Sequence, residues 1–353
     1  MNNYTALGIM SGSSLDGVDL ALCSFIENNN QWSYQIIKAE TVPYSDGWKN
    51  LLSRMPFATG QEIVKYDLLY GKYLGKLCSD FLKNNQLSAE LIASHGHTIF
   101  HNPKEGFTFQ LGNGQALATE SGIKTACDFR TKNVLLGGQG APLVPIGDEN
   151  LFPEMDYCLN IGGIANTSFL KDGKRMAFDI CPANQLLNHL SLQKGFPYDK
   201  DGKIARKGKL IPALYKEMNE NSYYKKAIPK SLGNEYVRDS FINLFAKYQA
   251  PIEDLLYTSV KHIVSRIGSV FKDEKNQNVL VTGGGAHNGL LMECIKKETD
   301  QEFIIPDKEL VDFKEAMIFA FMGVLRDLEK INCLASYTGA KQDLSAGEIY
   351  FPS

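Results

Sequence analysis

Residues 4–25 read YTALGIMSGSSLDGVDLALCSF, which is an apolar strand, a turn rich in glycine and serine, and a second apolar strand. β-Branched and aromatic residues favour strands, whereas Gly, Ser and Asp favour the turn between them. A third strand is predicted over Trp32–Val42. The same layout returns about 150 residues later over Tyr157–Ile161, Gly162-Gly163, Ala165–Leu170 and Arg175–Asp179. Such a repeat predicts an α/β protein made of two copies of one fold.

Apolar spacing predicts a helix over 61–83, and further helices are expected near 114–121, from about 184, and over 313–328. The stretch GGQGAP at 137–142 interrupts the pattern, since Gly and Pro break regular elements. We therefore expect a first domain over 1–140 and a second over 141–353, with a C-terminal segment that can return to the first domain.

Composition favours a soluble globular protein. The 353 residues are 44% apolar and 22% charged, with a net charge of -3, so no nucleic-acid surface is expected. Neither an export signal in MNNYTALGIM nor an apolar run of about 18 residues is present, which predicts a cytoplasmic protein without a membrane partner. Seven scattered cysteines, none in a C-x-x-C pair, indicate reduced thiols rather than disulfides or a zinc site.

Three glycine turns stand at predicted strand ends, within GIMSGSSLDGVD (8–19), NIGGIANT (160–167) and VTGGGAHN (281–288). Glycines let the backbone approach a phosphate, and successive N–H groups can hold an anion. In the first turn Ser11, Ser13 and Ser14 add hydroxyl donors, and Asp16 and Asp19 could help to hold Mg²⁺. The alternative is a set of ordinary turns, for which the same residues are typical.

Two acidic residues are candidates for chemistry. Asp179 ends an apolar strand just before a helix, where a carboxylate can accept a proton, although an Asp there is often only a helix cap. Glu315 lies in DFKEAM (312–317), at the predicted start of the last long helix. Acidic residues in a first turn often only complement the helix dipole, so a role for Glu315 in ligand binding is the alternative.

The stretch SHGHTIFHNP (94–103) contains His95, His97 and His101. Their spacing fits no standard zinc signature, and the neighbouring Gly, Asn and Pro predict a loop. Hydrogen bonding to a substrate is the favoured interpretation, with metal ligation as the alternative. The segment Asp128-Phe129-Arg130 follows a predicted strand.

In this order, the motifs resemble those of the anhydro-N-acetylmuramic acid kinase family over nearly the whole chain. The resemblance is carried by GIMSGSSLDGVD (8–19), SHGHTIFHNP (94–103), FQLGNG (109–114), DFR (128–130), GGQGAPLVP (137–145), NIGGIAN (160–166), FDICPAN (178–184), YDKDGKIAR (198–206), PKSLGNEY (229–236), VTGGGAHN (281–288), KEAMIFA (314–320) and TGAKQD (338–343).

This resemblance implies two ribonuclease-H-like domains, as in actin-like ATPases, around a central nucleotide and sugar cleft. The expected reaction uses ATP, Mg²⁺ and water. It opens the 1,6-anhydro ring of 1,6-anhydro-N-acetylmuramic acid and phosphorylates O6, which yields N-acetylmuramic acid 6-phosphate and ADP for the recycling of cell-wall sugars. Members usually form homodimers. Rival interpretations are a hydrolase on the same fold and a non-catalytic sensor of sugar or nucleotide.

The resemblance also implies site residues. Asp179 would be the base that activates water, and Glu315 would support the sugar site. Nucleotide contacts would come from Gly12, Ser13, Ser14, Leu15, Asp16, Gly17, Val18, Asp19, Gly162, Gly163, Gly283, Gly284 and Gly285. Sugar contacts would come from His95, Gly96, His97, Thr98, Arg130 and Asn184.

The sequence departs from the common family form at several places. Ser13 stands where Thr is usual, His97 where Gln is usual, and Asn113 where Asp is usual. DICPAN (179–184) replaces D-T-G-P-G-N, so Cys181 and Ala183 also differ. The proposed base is retained, whereas fine contacts to the substrate are expected to change.

Overall fold

The computed structural model describes residues 2–12 and 15–352. The chain divides into two compact units. Unit 1 comprises Met1–Pro153 and Phe313–Ser353, and unit 2 comprises Glu154–Asp312. The boundary expected between residues 140 and 141 therefore falls inside unit 1, and the residues from Phe313 onward belong to that unit as well.

The strands are β1 (Asn2–Met10), β2 (Gly17–Asn28), β3 (Gln31–Pro43), β4 (Leu91–Ser94), β5 (His97–Asn102), β6 (Phe107–Leu111), β7 (Thr125–Cys127), β8 (Tyr157–Ile161), β9 (Ile164–Lys171), β10 (Lys174–Pro182), β11 (Asn278–Thr282), β12 (Glu302–Ile304) and β13 (Glu348–Tyr350). The α-helices are α1 (Asp46–Arg54), α2 (Gly60–Asn84), α3 (Gly114–Ser121), α4 (Thr131–Leu135), α5 (Pro145–Leu151), α6 (Asn184–Leu192), α7 (Pro212–Asn219), α8 (Asn234–Ser240), α9 (Ile252–Gly268), α10 (Gly289–Glu298), α11 (Lys308–Asp327) and α12 (Ala335–Thr338).

Each unit has one main sheet, and the two sheets share a topology. In unit 1 the strand order is β3-β2-β1-β4-β7-β13, and in unit 2 it is β10-β9-β8-β11-β12. In both, the first three strands in sequence are antiparallel neighbours, and the next two lie parallel to the first. This is the ribonuclease-H-like arrangement, so the predicted α/β fold class is confirmed. Unit 1 adds β13 at one edge and the β5–β6 hairpin.

The core of unit 1 forms where long helices cover the sheet. Helix α2 begins at a capping box in which Thr59 and Glu62 satisfy each other's backbone N–H groups. Helix α11 lies directly against β1, because a Cβ on Gly8 would come within 1.8 Å of the Ala316 carbonyl oxygen. Only glycine allows so close an approach. This contact fixes the part of α11 that carries Glu315 next to the end of β1.

In unit 2, the parallel strands β8 and β11 form the centre of the sheet, and their apolar side chains are buried. Residue Asn160 pairs with Thr282, so the two strands end side by side. The glycines that follow each strand must therefore lie close together. Helix α9 packs against the same core through its buried apolar face.

Two expectations about local structure are wrong. The loop predicted around the histidines is a strand from His97 onward, because β5 pairs with β6 as a hairpin. Helix α11 begins at Lys308 rather than near Phe313, since the Asp307 carboxylate accepts the Leu310 N–H at the start of the helix. Glu315 is thus beyond the first turn, and the dipole interpretation of this residue is lost.

Among the residues that the structure describes, no helix combines the length and apolarity needed to cross a membrane.

Candidate active site

The connection between β1 and β2 carries the first predicted phosphate-binding stretch. Ser13 and Ser14 lie outside the described residues. The Asp16 carboxylate accepts the Gly17 N–H at 3.0 Å, and the Leu15 N–H points to the Gly12 carbonyl at 3.5 Å. These contacts join described residues on either side of Ser13 and Ser14 near the end of the sheet.

The last three residues of that stretch belong to β2 rather than to the turn. Val18 is a fully buried core residue, and a Cβ on Gly17 would lie 2.6 Å from the Val42 carbonyl oxygen. Asp19 accepts a hydrogen bond from the Thr41 hydroxyl at 2.6 Å. Of these three residues, Asp19 is the one whose side chain has the chemistry of a phosphate or Mg²⁺ site.

His95, which is buried, and Arg130, which is half-buried, form a hydrogen-bonded pair. The His95 Nδ1 atom is 2.8 Å from the Gly96 carbonyl oxygen, which can only accept, so Nδ1 carries the proton. The Nε2 atom accepts from Nε of Arg130 at 3.1 Å and from Nη2 at 2.7 Å. Burial and the Arg130 charge hold the pKa of His95 well below its ordinary value. His95 is therefore a neutral acceptor that orients the guanidinium.

Arg130 keeps its charge in this setting. Burial lowers its pKa to about 10, which still leaves the group protonated at neutral pH. Nη1 also donates to the Gly140 carbonyl at 2.5 Å. A guanidinium has five N–H groups, so two of them remain after these three contacts. The sequence did not link GGQGAP (137–142) to Arg130, and the structure does so through Gly140.

Glu315 lies among charged groups of unit 1. Burial raises its pKa, the charge of Asp19 raises it further, and the cations Lys314 and Arg130 lower it. Next to it, Lys314 and Asp148 form a buried ion pair, with Nζ 2.6 Å from Oδ1. The Lys314 ammonium also lies 5.2 Å from the centre of the Phe152 ring. Fixed charges therefore contribute to the electrostatic surroundings of Glu315, which is itself half-buried.

His97 belongs to a separate hydrogen-bonded chain. Its Nδ1 atom is 2.9 Å from the Ser11 hydroxyl, which is 2.7 Å from the Tyr44 hydroxyl. The Tyr44 hydroxyl in turn bonds to the hydroxyl of Tyr70. The predicted contact residues on either side differ in exposure, since Gly96 is buried and Thr98 is exposed.

The metal alternative for the histidines has little support from this geometry. The Nε2 atom of His95 faces a guanidinium, which is incompatible with a cation at the same place. Within residues 2–12 and 15–352, no three His, Cys, Asp or Glu side chains come together in a way that could hold a metal ion.

In unit 2, Asp179 lies on β10 next to a register shift in the ladder to β9. Oδ2 accepts the Leu232 N–H at 2.7 Å, and the Asp179 carbonyl accepts the Tyr223 hydroxyl at 2.5 Å. Burial raises the pKa of Asp179 to about 6, against the lowering effect of the Leu232 hydrogen bond. Oδ1 has no hydrogen-bond partner among the described residues. A partly desolvated carboxylate with one unengaged oxygen can accept a proton near neutral pH.

The other glycine turns meet at the ends of β8 and β11. Gly283 has φ +81°, and a Cβ there would lie 2.5 Å from the Asn160 Oδ1 atom. A Cβ on Gly285 would lie 2.2 Å from the Ile161 side chain. Asn184 donates to the Ile161 carbonyl at 3.1 Å, and its Nδ2 would be 3.6 Å from a Cβ on Gly284. The structure therefore brings the second and third glycine turns and Asn184 together.

The carbonyls of Gly162 and Gly163 accept N–H groups from residues 183–185, at the start of α6. Those helix N–H groups are occupied within the protein. The predicted phosphate contacts in this part of unit 2 would consequently fall to the N–H groups of the glycine turns rather than to the first turn of the helix.

Sequence analysis missed the buried partners of the predicted residues. Asp148 and Lys314 were not assigned, although Lys314 adjoins Glu315 in the KEAMIFA motif. Tyr44 and Tyr70 gave no signal, since a tyrosine in an apolar helix face or strand end is ordinary core material. The Leu232 N–H, which bonds Asp179, lies in PKSLGNEY (229–236), a motif quoted above without a role.

The chain is similar to known proteins both as a family and individually. A family model described as anhydro-N-acetylmuramic acid kinase matches residues 4–352. The protein of that name from Actinobacillus pleuropneumoniae serotype 5b is 34% identical over 375 residues, covering 99% of this chain and 100% of the relative. The one from Vibrio cholerae is 33% identical over 368 residues, covering 98% of each. A solved activator of 2-hydroxyisocaproyl-CoA dehydratase from Clostridium difficile with bound ADPNP has 16% identity and a TM-score of 0.43, covering 90% of this chain and 94% of that one.

Proposed function

The chain belongs to the anhydro-N-acetylmuramic acid kinase family, and from this premise we propose that it opens the 1,6-anhydro ring of its sugar and phosphorylates O6 with ATP. The products are N-acetylmuramic acid 6-phosphate and ADP. The observation that carries the proposal, beyond family membership, is the Asp179 carboxylate with its raised pKa and unengaged Oδ1 atom.

Asp179 acts as the base in this proposal. Oδ1 takes a proton from water, and the water oxygen forms a bond to C1 of the sugar. The bond between C1 and the bridging oxygen breaks, and its electron pair stays on O6. O6 then attacks the γ-phosphorus, the bond to the β-phosphate oxygen breaks, and ADP leaves. A positioned proton acceptor contributes about 10²–10⁴-fold to such a step.

The sugar carries a carboxylate, and Arg130 offers a charge of the opposite sign. Its guanidinium is oriented by His95 and Gly140 and retains two N–H groups. A planar guanidinium matches a carboxylate in geometry as well as in charge. Glu315 supplies a nearby acceptor for sugar hydroxyl groups. Preorganised groups of this kind hold the reacting atoms in place, which is most of what a phosphoryl transfer needs.

Mg²⁺ fits the carboxylates of unit 1. The charge of Asp19 raises the pKa of Glu315, which indicates that the two carboxylates lie within electrostatic range of each other. Carboxylate oxygens are preferred Mg²⁺ ligands, and Asp19, with Asp16 in the adjoining turn, would hold the ion directly or through water. When bound, Mg²⁺ would neutralise charge on the phosphate oxygens of ATP.

In the same proposal, backbone N–H groups bind the nucleotide. They come from the turn that begins at Gly12 and from the glycines near 162 and 283. A Cβ at Gly283 or Gly285 would collide with neighbouring atoms, which favours glycine and keeps the backbone bare of side chains.

We also propose that the protein acts in the cytoplasm, in recycling of cell-wall sugars, and as a homodimer. Support for the first point is that the seven cysteines are thiols rather than disulfides, six of them buried, as expected of a reducing compartment. Light scattering of the purified chain tests the dimer. A measured mass equal to that of one chain at every concentration would contradict it.

Incubation with ATP, Mg²⁺ and the anhydro sugar in ¹⁸O-water tests the reaction. Mass spectrometry should find one ¹⁸O at C1 and a phosphate on O6 of a ring-opened product. Phosphate released at the same rate without sugar would instead indicate a hydrolase. Binding of both ligands without product would indicate a sensor. Either of those results would overturn the proposal.

A further inference from the structure

Buried hydroxyl groups in unit 1 form a chain of hydrogen bonds in which only one direction of proton donation is consistent. It runs through Tyr70, Tyr44 and Ser11 to the Nδ1 atom of His97. All four side chains are at most 6% exposed. Burial raises the pKa of Tyr44 to about 12 and holds that of Tyr70 well above its ordinary value, so both hydroxyls keep their protons at neutral pH.

Tyr70 is the closed end of this chain. It is fully buried, and among the described residues its hydroxyl forms one hydrogen bond, to the Tyr44 hydroxyl. The Tyr70 proton must therefore point into the chain, because a buried donor left without an acceptor loses about 1–3 kcal/mol. If Tyr70 donates to Tyr44, then Tyr44 donates to Ser11, and Ser11 donates to His97. The opposite direction would leave the Tyr70 proton with no acceptor.

The open end of the chain is the other nitrogen of His97. Because Nδ1 accepts the Ser11 proton, a neutral His97 must carry its own proton on Nε2. Burial lowers the pKa of His97 to about 4, so the ring is neutral throughout the physiological range. His97 is 6% exposed, and its Nε2 has no hydrogen-bond partner among the described residues. One N–H donor is thus left over from an otherwise satisfied network.

We propose that His97 presents this Nε2–H as a fixed donor to an acceptor oxygen of the bound sugar, with Ser11, Tyr44 and Tyr70 as positioning residues that set its tautomer. The proposal rests on the proposed function, because it deepens the role of a residue that the family resemblance assigns to the sugar. It makes His97 specific for an oxygen that accepts: a carbonyl, an ether or a carboxylate.

The neighbouring histidine supports this division of roles. His95 has the opposite tautomer, since its Nδ1 donates to the Gly96 carbonyl and its Nε2 accepts from Arg130. Both nitrogens of His95 are engaged within the protein, whereas His97 has one left. His95 and His97 are two positions apart in sequence, and their ring nitrogens have opposite roles. In His95 the Nδ1 atom donates and Nε2 accepts, whereas in His97 the Nδ1 atom accepts and Nε2 donates. A side chain that replaces His97 must therefore place a donor at the position of Nε2.

The first experiment measures the tautomer of His97 without any ligand. Long-range ¹H–¹⁵N spectra of the uniformly labelled chain, assigned with a His97→Gln variant, should show His97 protonated at Nε2. In Ser11→Ala the Nδ1 atom loses its donor, and the Nδ1–H form should appear. An Nδ1–H tautomer in the wild-type chain would overturn the inference, even if kinase activity is present.

The second experiment compares two amides in place of the imidazole. The His97→Gln amide reaches the position of Nε2, whereas the shorter His97→Asn amide reaches only that of Nδ1. We expect the KM for the anhydro sugar to be about tenfold higher in His97→Asn than in His97→Gln, which corresponds to the loss of one hydrogen bond. The KM for ATP should be the same in both variants.

Equal sugar KM values in the two variants would overturn the donor role. A difference confined to ATP would overturn the choice of ligand, because it would place the acceptor oxygen on the nucleotide. Absence of any turnover in the wild-type chain would contradict the proposed function instead, and the tautomer measurement would still stand by itself.

Discussion

The two units place different chemistry on the same sheet. Both sheets follow the same order of five strands, yet the first hairpin in unit 1 has the long connection from Ser11 to Asp16, and the one in unit 2 has only Gly162-Gly163. Unit 1 surrounds its connection with paired charges and hydroxyl groups. Unit 2 has bare glycine backbone at its connection, and the Asp179 carboxylate lies on the neighbouring strand β10. Fold therefore supplies equivalent positions, and the residues at those positions decide what each unit can do.

The electrostatic difference is equally clear. In unit 1, Lys314 pairs with Asp148, and Arg130 is held by His95 and a carbonyl, so the charges are fixed in place. In unit 2, the one hydrogen bond that described residues make to the Asp179 carboxylate comes from a backbone N–H, and burial raises its pKa to about 6. The first arrangement is suited to holding anions and the second to moving a proton.

The largest expected effect follows from removing the carboxylate that distinguishes unit 2 from unit 1, and it is an effect on turnover. Asp179→Asn removes the only proposed proton acceptor of unit 2 and keeps an oxygen for the Leu232 N–H. We expect kcat to fall by about 10²–10⁴-fold. Nucleotide affinity, measured by calorimetry, should remain near that of the wild-type chain. A kcat within about threefold of the wild type would remove Asp179 from the mechanism.

The same variant has a stability control with a definite sign. A raised pKa in the folded state means that Asp179 favours folding when protonated, and that this contribution is lost as pH rises from 3.8 to about 6. The charged form therefore costs up to about 3 kcal/mol at pH 8. Asp179→Asn should unfold at higher urea than the wild type at pH 8 and at equal urea near pH 4. Loss of stability at pH 8 would show that the variant fails by misfolding.

The next effect concerns the fixed charges of unit 1. Lys314→Met leaves the buried Asp148 carboxylate without its ammonium, which should lower the free energy of unfolding of unit 1 by about 3–5 kcal/mol. Both tryptophans, Trp32 and Trp48, lie in unit 1, so their fluorescence reports on that unit. The double variant Lys314→Met with Asp148→Leu should recover most of the loss. No change in the fluorescence transition would contradict the importance of this pair.

Features with a local signal in the sequence could be predicted. The glycine turns, the strands around them and Asp179 were predicted because each has a local signal: a Gly run, an apolar run, or an acid at a strand end. The register of β8 with β11, which brings Gly163 and Gly283 to one edge, follows from parallel pairing of strands far apart in the chain. Local patterns contain no such information.

The partners of Glu315 and His97 could not be predicted for a related reason. Lys314 and Asp148 are far apart in sequence, and both are residue types that are common on protein surfaces. Tyr44 and Tyr70 resemble ordinary core residues until their hydroxyl groups meet Ser11. Even the histidine loop proved to be a hairpin, because the pairing of β5 with β6 overrides the turn-forming residues around it.

A smaller effect tests the bare backbone of unit 2. Gly283→Ala forces an L side chain into a positive φ and against the Asn160 Oδ1 atom, so unit 2 should lose about 1–3 kcal/mol. Slowly exchanging amides of β8 and β11 should exchange faster, by hydrogen exchange with mass spectrometry. Gly173→Ala is the matched control, since it shares a positive φ but has no neighbour within 4 Å. Equal effects of both would attribute the loss to φ alone.

The smallest effect is on the pH dependence of kcat/KM, which shows whether the titrating group lies in unit 1 or in unit 2. With Asp179 as the base, kcat/KM should fall about tenfold for each pH unit below an apparent pKa of about 6, because only the carboxylate accepts a proton. Glu315 is the rival titrating group, since burial and Asp19 raise its pKa too. In Glu315→Gln the absolute rate should drop while the acid limb stays in place. If the limb disappears in that variant, the titrating group belongs to unit 1, and the assignment of anion binding to one unit and proton transfer to the other is wrong.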